Sequence, residues 1–309
     1  MRKIGGLIWL MFACSLAVWG QSSASARVPA RIVVTLGHYY GHELPVLTAD
    51  DLTITQEYNT LTITSLKPFR GDRASLELFV LVDNCSSCEL GSKFDELRRF
   101  ITSQPSTTSV GVAYIQDGRL QVAENPSLDR ERVVKALVPP FGSKPADPFG
   151  ALTDLIKGWK QDSSRHAVLM ISTGLDPTVT GPLSKSPSAE AAIQAAQRTE
   201  TMVYAIYHPS IDYATSDFSK IYGGQVLLSH VAVETGGECY LWGLGPLPSL
   251  APFLADMNQH LANQYLLEFL ANPGKTPGEL QEVHVKSKAQ DIDVVSPYRI
   301  VVGSSGVTR

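Results

Sequence analysis

The sequence predicts an α/β protein whose doubly wound, mostly parallel sheet is flanked by helices, with an accessory β layer built from the N- and C-terminal segments. Three observations predict this fold class. Short apolar runs recur along the middle of the chain, helical periods separate them, and a two-residue apolar period marks both ends. Of the 309 residues, 44% are hydrophobic and 18% charged, so the chain is able to bury a large core.

The central strands are predicted from runs that are apolar almost throughout. Such runs are typical of parallel strands, which are covered by helices on both faces. They occupy residues 76–82, 109–115, 166–171 and 201–207.

The segments between these runs have the period of amphipathic helices. Leu90, Phe94, Leu97 and Ile101 share one helical face at spacings of four, three and four. Asp147-Pro148 has the pattern of a helix cap followed by a first-turn proline. Further helices are predicted over residues 189–199, 226–234 and 250–261.

Both ends of the chain are β-rich. Residues 32–35, 52–55 and 61–64 form one group, and 265–270, 283–285 and 292–294 form the other. Either group alone would have little core, so we expect the two ends to pack together as one accessory β layer.

The N-terminus has the composition of an export signal. Arg2 and Lys3 precede a mostly apolar run at 7–19, and small residues follow it up to Ala26. We expect a cleaved signal peptide and a secreted or periplasmic protein. The run is shorter than the roughly 20 apolar residues of a transmembrane helix, and no later run is longer, so no membrane span is predicted.

The predicted domain organisation follows from these patterns. It comprises a signal peptide (1–26), an N-terminal β-rich segment (27–72), the α/β domain (73–262), a C-terminal β-rich segment (263–303) and a frayed tail (304–309).

Charge and motifs exclude several function classes. The formal net charge is −4, and the predicted signal peptide carries two of the basic residues, so a nucleic-acid partner is disfavoured. Neither G-x-S-x-G nor H-E-x-x-H occurs, and the seven histidines show no metal-ligand spacing.

Polar residues follow two of the predicted central strands. In an open parallel sheet, ligands bind beyond the carboxyl ends of the strands. The first run is followed by Asp83-Asn84-Cys85-Ser86-Ser87-Cys88, and the run at 166–171 by Ser172-Thr173-Gly174-Leu175-Asp176. The predicted strand-end rim comprises residues 83–87, 143–147 and 173–176.

Several motifs resemble the von Willebrand factor A family, a Rossmann-type fold, and in particular bacterial exported proteins that carry a variant of this domain between short β-rich flanks. The resemblance spans residues 30–302. It rests on the order and spacing of Val80-Leu81-Val82-Asp83, Val168-Leu169-Met170-Ile171-Ser172-Thr173-Gly174, Val233-Glu234-Thr235-Gly236-Gly237-Glu238-Cys239-Tyr240 and Asn263-Gln264-Tyr265-Leu266-Leu267.

The resemblance implies a metal-ion-dependent adhesion site in degenerate form. The family binds Mg²⁺ through a D-x-S-x-S turn, a middle-loop Thr and a later Asp. Asp83 and Ser87 match the turn, Cys85 replaces its first Ser, and Thr173 stands in place of the later Asp. Asp147 could offer a carboxylate instead of the Thr. We expect the site to be lost and no cofactor to be needed, with Mg²⁺ as the alternative.

Three cysteines follow the signal peptide. Cys85 and Cys88 are the disulfide candidates, and Cys239 is expected to remain a buried free thiol. Because Cys85-x-x-Cys88 lies between a strand and a helix, a thiol-disulfide oxidoreductase is the alternative function.

The sequence therefore predicts a non-catalytic, extracytoplasmic protein-binding module of the adhesion or assembly type. The partner is expected to be a protein whose identity cannot be read from the sequence. The predicted contact residues lie on the strand-end rim and are Asn84, Ser86, Thr173 and Asp176.

Overall fold

The computed structural model describes residues 26–38, 45–84, 88–139, 147–160, 164–176, 186–209, 218–243 and 247–303. The predicted signal peptide lies outside these residues except for Ala26, and so do Cys85, Ser86, Ser87 and positions 143–146 of the predicted rim. The side chain of Cys88 is likewise not described, so the predicted disulfide is untested.

The described strands are β1 (Val28–His38), β2 (Leu52–Gln56), β3 (Asn59–Thr60), β4 (Thr62–Pro68), β5 (Leu76–Asp83), β6 (Thr108–Gln116), β7 (Arg119–Ser127), β8 (Arg165–Ser172), β9 (Thr201–Tyr207), β10 (Cys239–Tyr240), β11 (Gln264–Ala271), β12 (Leu280–Ser287), β13 (Ile292–Val295) and β14 (Arg299–Val301). The helices are α1 (Phe94–Ser103), α2 (Arg130–Ala136), α3 (Pro148–Gly158), α4 (Pro187–Arg198), α5 (Phe218–Glu234) and α6 (Ala251–Ala262).

The four predicted apolar runs form the centre of a six-stranded sheet in the order β10-β9-β8-β5-β6-β7. β5 pairs in parallel with β6 and β8, so that Val80 lies beside Val112 and Leu169. β9 continues the parallel arrangement beyond β8, and β10 beyond β9. This confirms the predicted fold class, because the central strands have helices on both faces.

Two apolar cores cover the two faces of this sheet. On one face α1, α2 and α6 pack against alternate strand residues such as Val80 and Leu169. On the other face α3, α4 and α5 cover the intervening residues, among them Leu81 and Met170. The predicted apolar faces of α1, α3 and α6 are buried as expected.

Two elements at the edge of the sheet were not predicted. β7 pairs antiparallel with β6, and α2 follows it. The turn between β6 and β7 is Asp117-Gly118, with φ of 50° and 73° at the two residues. An Asp-Gly turn with positive φ at both positions is a strong hairpin signal, so this hairpin was detectable in the sequence.

The two chain ends pack together, as predicted, into an accessory β layer that consists of two sheets. One has the order β13-β1-β11-β4 and the other β14-β12-β2-β3. Side chains from both sheets meet in a third apolar core that includes Val34, Ile54, Phe269 and Val283. The N- and C-terminal segments alternate in the first sheet, and in the second β12 pairs with β2 to join the two segments, so neither segment forms a sheet by itself.

Arg165 joins the accessory layer to the central sheet. Its guanidinium donates to the carbonyl oxygens of Ala74 at 3.1 Å and Leu261 at 3.0 Å, and to the side-chain oxygen of Gln264. It also lies 4.7 Å from the ring centroid of Phe69. Burial lowers the pKa of Arg165 to about 10, and the group remains charged at neutral pH.

Gln264, the first residue of β11, extends this junction into the core. Its amide nitrogen lies 3.5 Å from the Thr35 hydroxyl and 3.3 Å from the Tyr204 hydroxyl. Only 1% of Gln264 is exposed, so its polar atoms depend on these partners.

Within the described ranges, no helix is long and apolar enough to cross a membrane.

Replacing Arg165 with methionine should lower the free energy of unfolding by about 3 kcal/mol, because three oxygen acceptors would lose their donor in a buried site. Chemical denaturation monitored by circular dichroism measures this loss. Arg99→Met is the matched control, since Arg99 is exposed on α1, and should change the stability by less than about 0.5 kcal/mol. Equal stabilities for the two variants would contradict the role assigned to Arg165.

Candidate functional site

The candidate site is the strand-end rim, where β5 and β8 end side by side. Asp83 is the last residue of β5 and Ser172 the last of β8. The Ser172 hydroxyl donates a hydrogen bond of 2.7 Å to Oδ2 of Asp83. Both residues are buried, with 3% and 0% of their surface exposed, so this hydroxyl–carboxylate bond fixes the Asp83 side chain at the rim.

The turn after β8 is held by its own hydroxyl groups. The Gly174 amide donates to the Ser172 hydroxyl at 3.0 Å, and the Leu175 amide donates to the Thr173 hydroxyl at 3.3 Å. Thr173, the predicted contact residue, is only 3% exposed. Its hydroxyl is already the acceptor of a local bond.

Helix α5 packs directly on this turn at a pair of glycines. A Cβ atom on Gly174, whose φ is +64°, would lie 2.3 Å from the Gly224 carbonyl oxygen. A Cβ on Gly224 would lie 2.3 Å from the Thr173 carbonyl oxygen. Backbone therefore meets backbone here, and only glycine fits at either position.

Asn84 follows Asp83 and faces the neighbouring strand. Its amide donates to the Ile115 carbonyl at 3.0 Å, and its side-chain nitrogen donates to the side-chain oxygen of Gln116. The side-chain oxygen of Asn84 is buried and has no hydrogen-bond partner among the described residues. This predicted rim residue therefore carries an unsatisfied acceptor.

Asp176 is bound to the start of α4. Its Oδ2 accepts hydrogen bonds from the hydroxyls of Ser186 at 2.7 Å and Ser188 at 3.1 Å. The Ser186 hydroxyl in turn accepts from the Ala189 amide and caps the helix. Asp176 is buried at 6% exposure, so these bonds fix the turn to α4.

Asp147 caps α3, as its sequence context predicted. Its Oδ1 accepts from the amides of Phe149 at 2.9 Å and Gly150 at 3.3 Å, with Pro148 in the first turn. This use of one carboxylate oxygen explains the residue without a metal ion. Its role as a metal ligand remains a prediction.

The described donors do not by themselves make a Mg²⁺ site. Mg²⁺ requires about six oxygen ligands in octahedral geometry, usually including more than one carboxylate or phosphate. Within the described ranges, no group of three or more His, Cys, Asp or Glu residues could hold a metal ion. Asp83 and Thr173 each have an oxygen engaged locally, and Ser87 lies outside the described residues.

His208 lies at the same edge, directly after β9, and was not identified from the sequence. Its amide donates to the Ser172 carbonyl at 2.9 Å. The residue is 1% exposed, and within the described part of the chain its Nδ1 has no hydrogen-bond partner. Burial, with a smaller contribution from nearby Lys93, lowers the pKa of His208 to about 4.

Cys239 is a free thiol in the described part of the chain, as expected, and is half-buried. It pairs with Ala205 in the middle of β9. Burial raises the pKa of Cys239 to about 11, so the thiol is protonated at neutral pH and is a poor nucleophile.

Exposed apolar side chains border the rim on the β10 side. Leu241 and Trp242 directly follow β10, whose direction places them at the same edge as Ser172. They are 44% and 56% exposed, and Tyr222 on α5 is 54% exposed. Gln225, one helical turn after Tyr222, donates to the Gly243 carbonyl at 2.9 Å and joins the loop to the helix. We call Tyr222, Leu241 and Trp242 the aromatic patch.

Gly224→Ala should destabilise the protein by about 2–3 kcal/mol, because the new Cβ would collide with the Thr173 carbonyl and displace the turn after β8. Thermal unfolding measures the effect. Gly223→Ala is the matched control on the same helix, since a Cβ there meets nothing within 4 Å. A Gly224→Ala protein as stable as the Gly223→Ala protein would refute this packing.

His208 should make stability depend on pH. Its pKa is about 4 in the folded protein and near 6.5 when unfolded, so the unfolded chain binds the proton more tightly between these values. Stability is therefore complete above pH 6.5 and falls as the pH drops to 4. Each unit of pKa difference between the two states corresponds to about 1.4 kcal/mol of unfolding free energy. The wild-type protein should therefore lose up to about 3 kcal/mol between pH 6.5 and pH 4 through His208, and the His208→Asn protein should not show this loss. Urea titrations of both proteins from pH 7 to 4 test this, and parallel stability curves would contradict it.

No protein-family model and no curated protein matches the chain. Three similar solved structures cover well over half of it.

An aerotolerance-related membrane protein from Bacteroides fragilis is 14% identical, covers 60% of this chain and 98% of its own, and has a TM-score of 0.42. The vWF domain of the type V pili tip protein Mfa5 from Porphyromonas gingivalis is 10% identical, and the match covers 60% of this chain and 94% of that domain with a TM-score of 0.44. A von Willebrand factor type A protein from Catenulispora acidiphila is 11% identical, and the match covers 91% of this chain and 75% of that protein with a TM-score of 0.43.

At these identities and TM-scores the matches carry no information about function. The observed order of parallel strands between two helical layers is that of a doubly wound α/β fold.

Proposed function

We propose that this protein is an exported, non-catalytic protein-binding module that holds its partner at the strand-end rim and the adjoining aromatic patch. The observation that carries this proposal is the exposure of Trp242, Leu241 and Tyr222 beside the carboxyl ends of the parallel strands. Exposed aromatic side chains are enriched in protein interfaces, where they supply most of the binding energy.

The rigidity of the rim supports a binding role. Asp83, Thr173 and Asp176 are buried and joined by hydroxyl and amide groups to β8 and α4. A surface fixed in this way loses little conformational entropy when a partner binds, which favours affinity.

Two unsatisfied polar atoms at the same edge favour a functional surface over simple packing. These are the side-chain oxygen of Asn84 and the Nδ1 atom of His208, neither of which has a partner in the ranges that the structure describes. Buried polar atoms without a partner are rare in folded proteins, and they occur where function or a bound molecule compensates for the cost.

The binding is proposed to be independent of metal. The carboxylates at the rim are held by hydroxyls and amides, and Thr173 stands where the related adhesion sites have an acid. The N-terminal sequence supports export, because Arg2 and Lys3 precede an apolar run and small residues.

Site-specific photo-crosslinking tests the location of the interface. A photoreactive amino acid at Trp242 should crosslink to an extracytoplasmic partner when the protein is expressed in its own cell. The same amino acid at Tyr58, which is fully exposed in the accessory layer, should not. Trp242→Ala should then weaken binding of the identified partner at least tenfold, since buried tryptophans in interfaces contribute about 2 kcal/mol or more.

Binding is to be measured by calorimetry in Mg²⁺ and in EDTA. Equal affinities are expected under the two conditions, and Asp83→Ala should show no loss of Mg²⁺ heat relative to the wild-type protein. Crosslinks from Tyr58 but not from Trp242 would place the interface elsewhere. Loss of binding in EDTA would show that the metal site is retained.

A further inference from the structure

A cleft of about 290 Å³ lies between the central sheet and the accessory layer, away from the strand-end rim. Val233 and Glu238 line it from the end of α5 and the start of β10. Residues of β12 and the segment that joins β13 to β14 form the other wall. Because α5 ends and β10 begins at the amino edge of the sheet, the cleft and the rim lie at opposite edges.

The cleft exists because the chain changes sheets between β13 and β14. β13 pairs with β1 in one sheet, whereas β14 pairs with β12 in the other. The β12–β14 pairing covers Leu280 to Glu282 only. From Val283 to Ser287, β12 is paired with β2 on one side, and no described strand is paired with its other edge.

The backbone groups on this open edge can be identified from the hydrogen bonds. The Val283 amide donates to the Tyr298 carbonyl at 3.0 Å, which shows that the peptide groups of Val283 face away from β2. In a regular antiparallel pair the Tyr298 amide would donate to the Val283 carbonyl. It donates instead to the Glu234 carbonyl at 3.2 Å. Since alternate residues of a strand face the same edge, Val285 directs its amide and carbonyl to the same side.

The opposite wall is rigid. Thr235 forms an isolated antiparallel bridge with Pro297, and Gly236, at φ +79°, lies against the proline ring. A Cβ on Gly237 would lie 2.1 Å from the Val203 carbonyl oxygen, so this turn is pressed onto β9. One wall of the cleft is therefore the strand β12, and the other is a turn at residues 235–237 that is held in place by its contacts with β9 and Pro297.

Two charged side chains line the cleft from opposite walls, Glu238 before β10 and Lys286 on β12. Lys286 is exposed and forms no ion pair among the described residues, so an acidic side chain of a ligand can pair with it on the β12 wall. On the same face of β12, His284 shares the Glu282 carboxylate with the Tyr298 hydroxyl, at 2.9 Å and 2.6 Å. Val233 is 59% exposed at the mouth and offers an apolar contact.

We propose that this cleft binds an extended polypeptide segment that carries an acidic residue and adds a strand to the open edge of β12 beyond β14. The Val283 carbonyl and the Val285 amide and carbonyl face this edge at the spacing of alternate strand residues, about 7 Å, which an extended peptide backbone matches. The Val283 amide is already bonded to the Tyr298 carbonyl and takes no part. The acidic residue would pair with Lys286, and a neighbouring apolar side chain would contact Val233.

Selection of displayed random heptapeptides on the full protein tests this proposal. The enriched peptides are expected to be rich in β-forming residues and to contain Asp or Glu. Synthesised as capped peptides, they should bind the wild-type protein, and hydrogen exchange of the Val285 amide should slow at least tenfold in the complex.

Two variants test the location. Val233→Trp fills the mouth of the cleft from an exposed position and should weaken peptide binding at least tenfold. Val122→Trp is its matched control on β7, where Val122 is 45% exposed, and should bind normally. Lys286→Met should weaken the acidic peptides without affecting the melting temperature.

The proposal is overturned if no peptide is enriched, if Val233→Trp binds as well as Val122→Trp, or if the Val285 amide exchanges at the same rate in the complex. These outcomes do not bear on the strand-end rim, which shares no residue with the cleft. Crosslinking at Trp242 therefore succeeds or fails independently.

Discussion

Burial of the four parallel strands β5, β6, β8 and β9 on both faces is the constraint on which the rest of the structure depends. A strand with apolar side chains on both faces requires two covering layers, and the helices supply them as two separate cores. Once the strands are parallel, all their carboxyl ends must lie at one edge. The position of Asp83 beside Ser172 is a consequence of this arrangement.

The same constraint explains why polar residues are buried at the rim. β5, β8 and β9 are buried as far as their last residues, so the first polar side chains after them enter a space already excluded from water. A buried carboxylate without donors would be costly, and hydroxyl groups from neighbouring turns provide them. The Ser172 hydroxyl donates to Asp83, and the hydroxyls of Ser186 and Ser188 donate to Asp176. The carboxylates of the rim are thus fixed by hydrogen bonds within the protein.

The sequence predicted the elements whose signal is local and strong. Burial requires apolar residues throughout β5 and β8 and along one face of α1. The resulting apolar runs and the helical spacing are visible in the sequence. The short helix α2 was missed because its seven residues include one fully buried side chain, Val133, which is too few to establish a period. The division of the accessory layer into two sheets was missed because pairing partners come from opposite ends of the chain, and one-dimensional periodicity contains no information about them.

At the site, the sequence identified Asp83, Thr173 and Asp176 because they directly follow apolar runs. It did not identify Ser172 as the partner of Asp83 or His208 as a neighbour of Ser172, since those relationships depend on the lateral order of strands. The metal ligands predicted by resemblance, Asp83, Ser87 and Asp147, remain predictions.

The glycines and the cleft follow from one geometric requirement, which is that irregular backbone has to pass close to regular backbone at both edges of the sheet. At the rim, Gly174 and Gly224 allow α5 to contact the turn after β8. At the amino edge, Gly237 allows the turn after α5 to contact β9. Backbone contacts therefore fix helix α5 in its first half, at Gly224, and the turn that follows it, at Gly237. Its neighbour, the segment between β13 and β14, must leave β12 to bridge to Thr235, and this departure exposes the strand edge that lines the cleft.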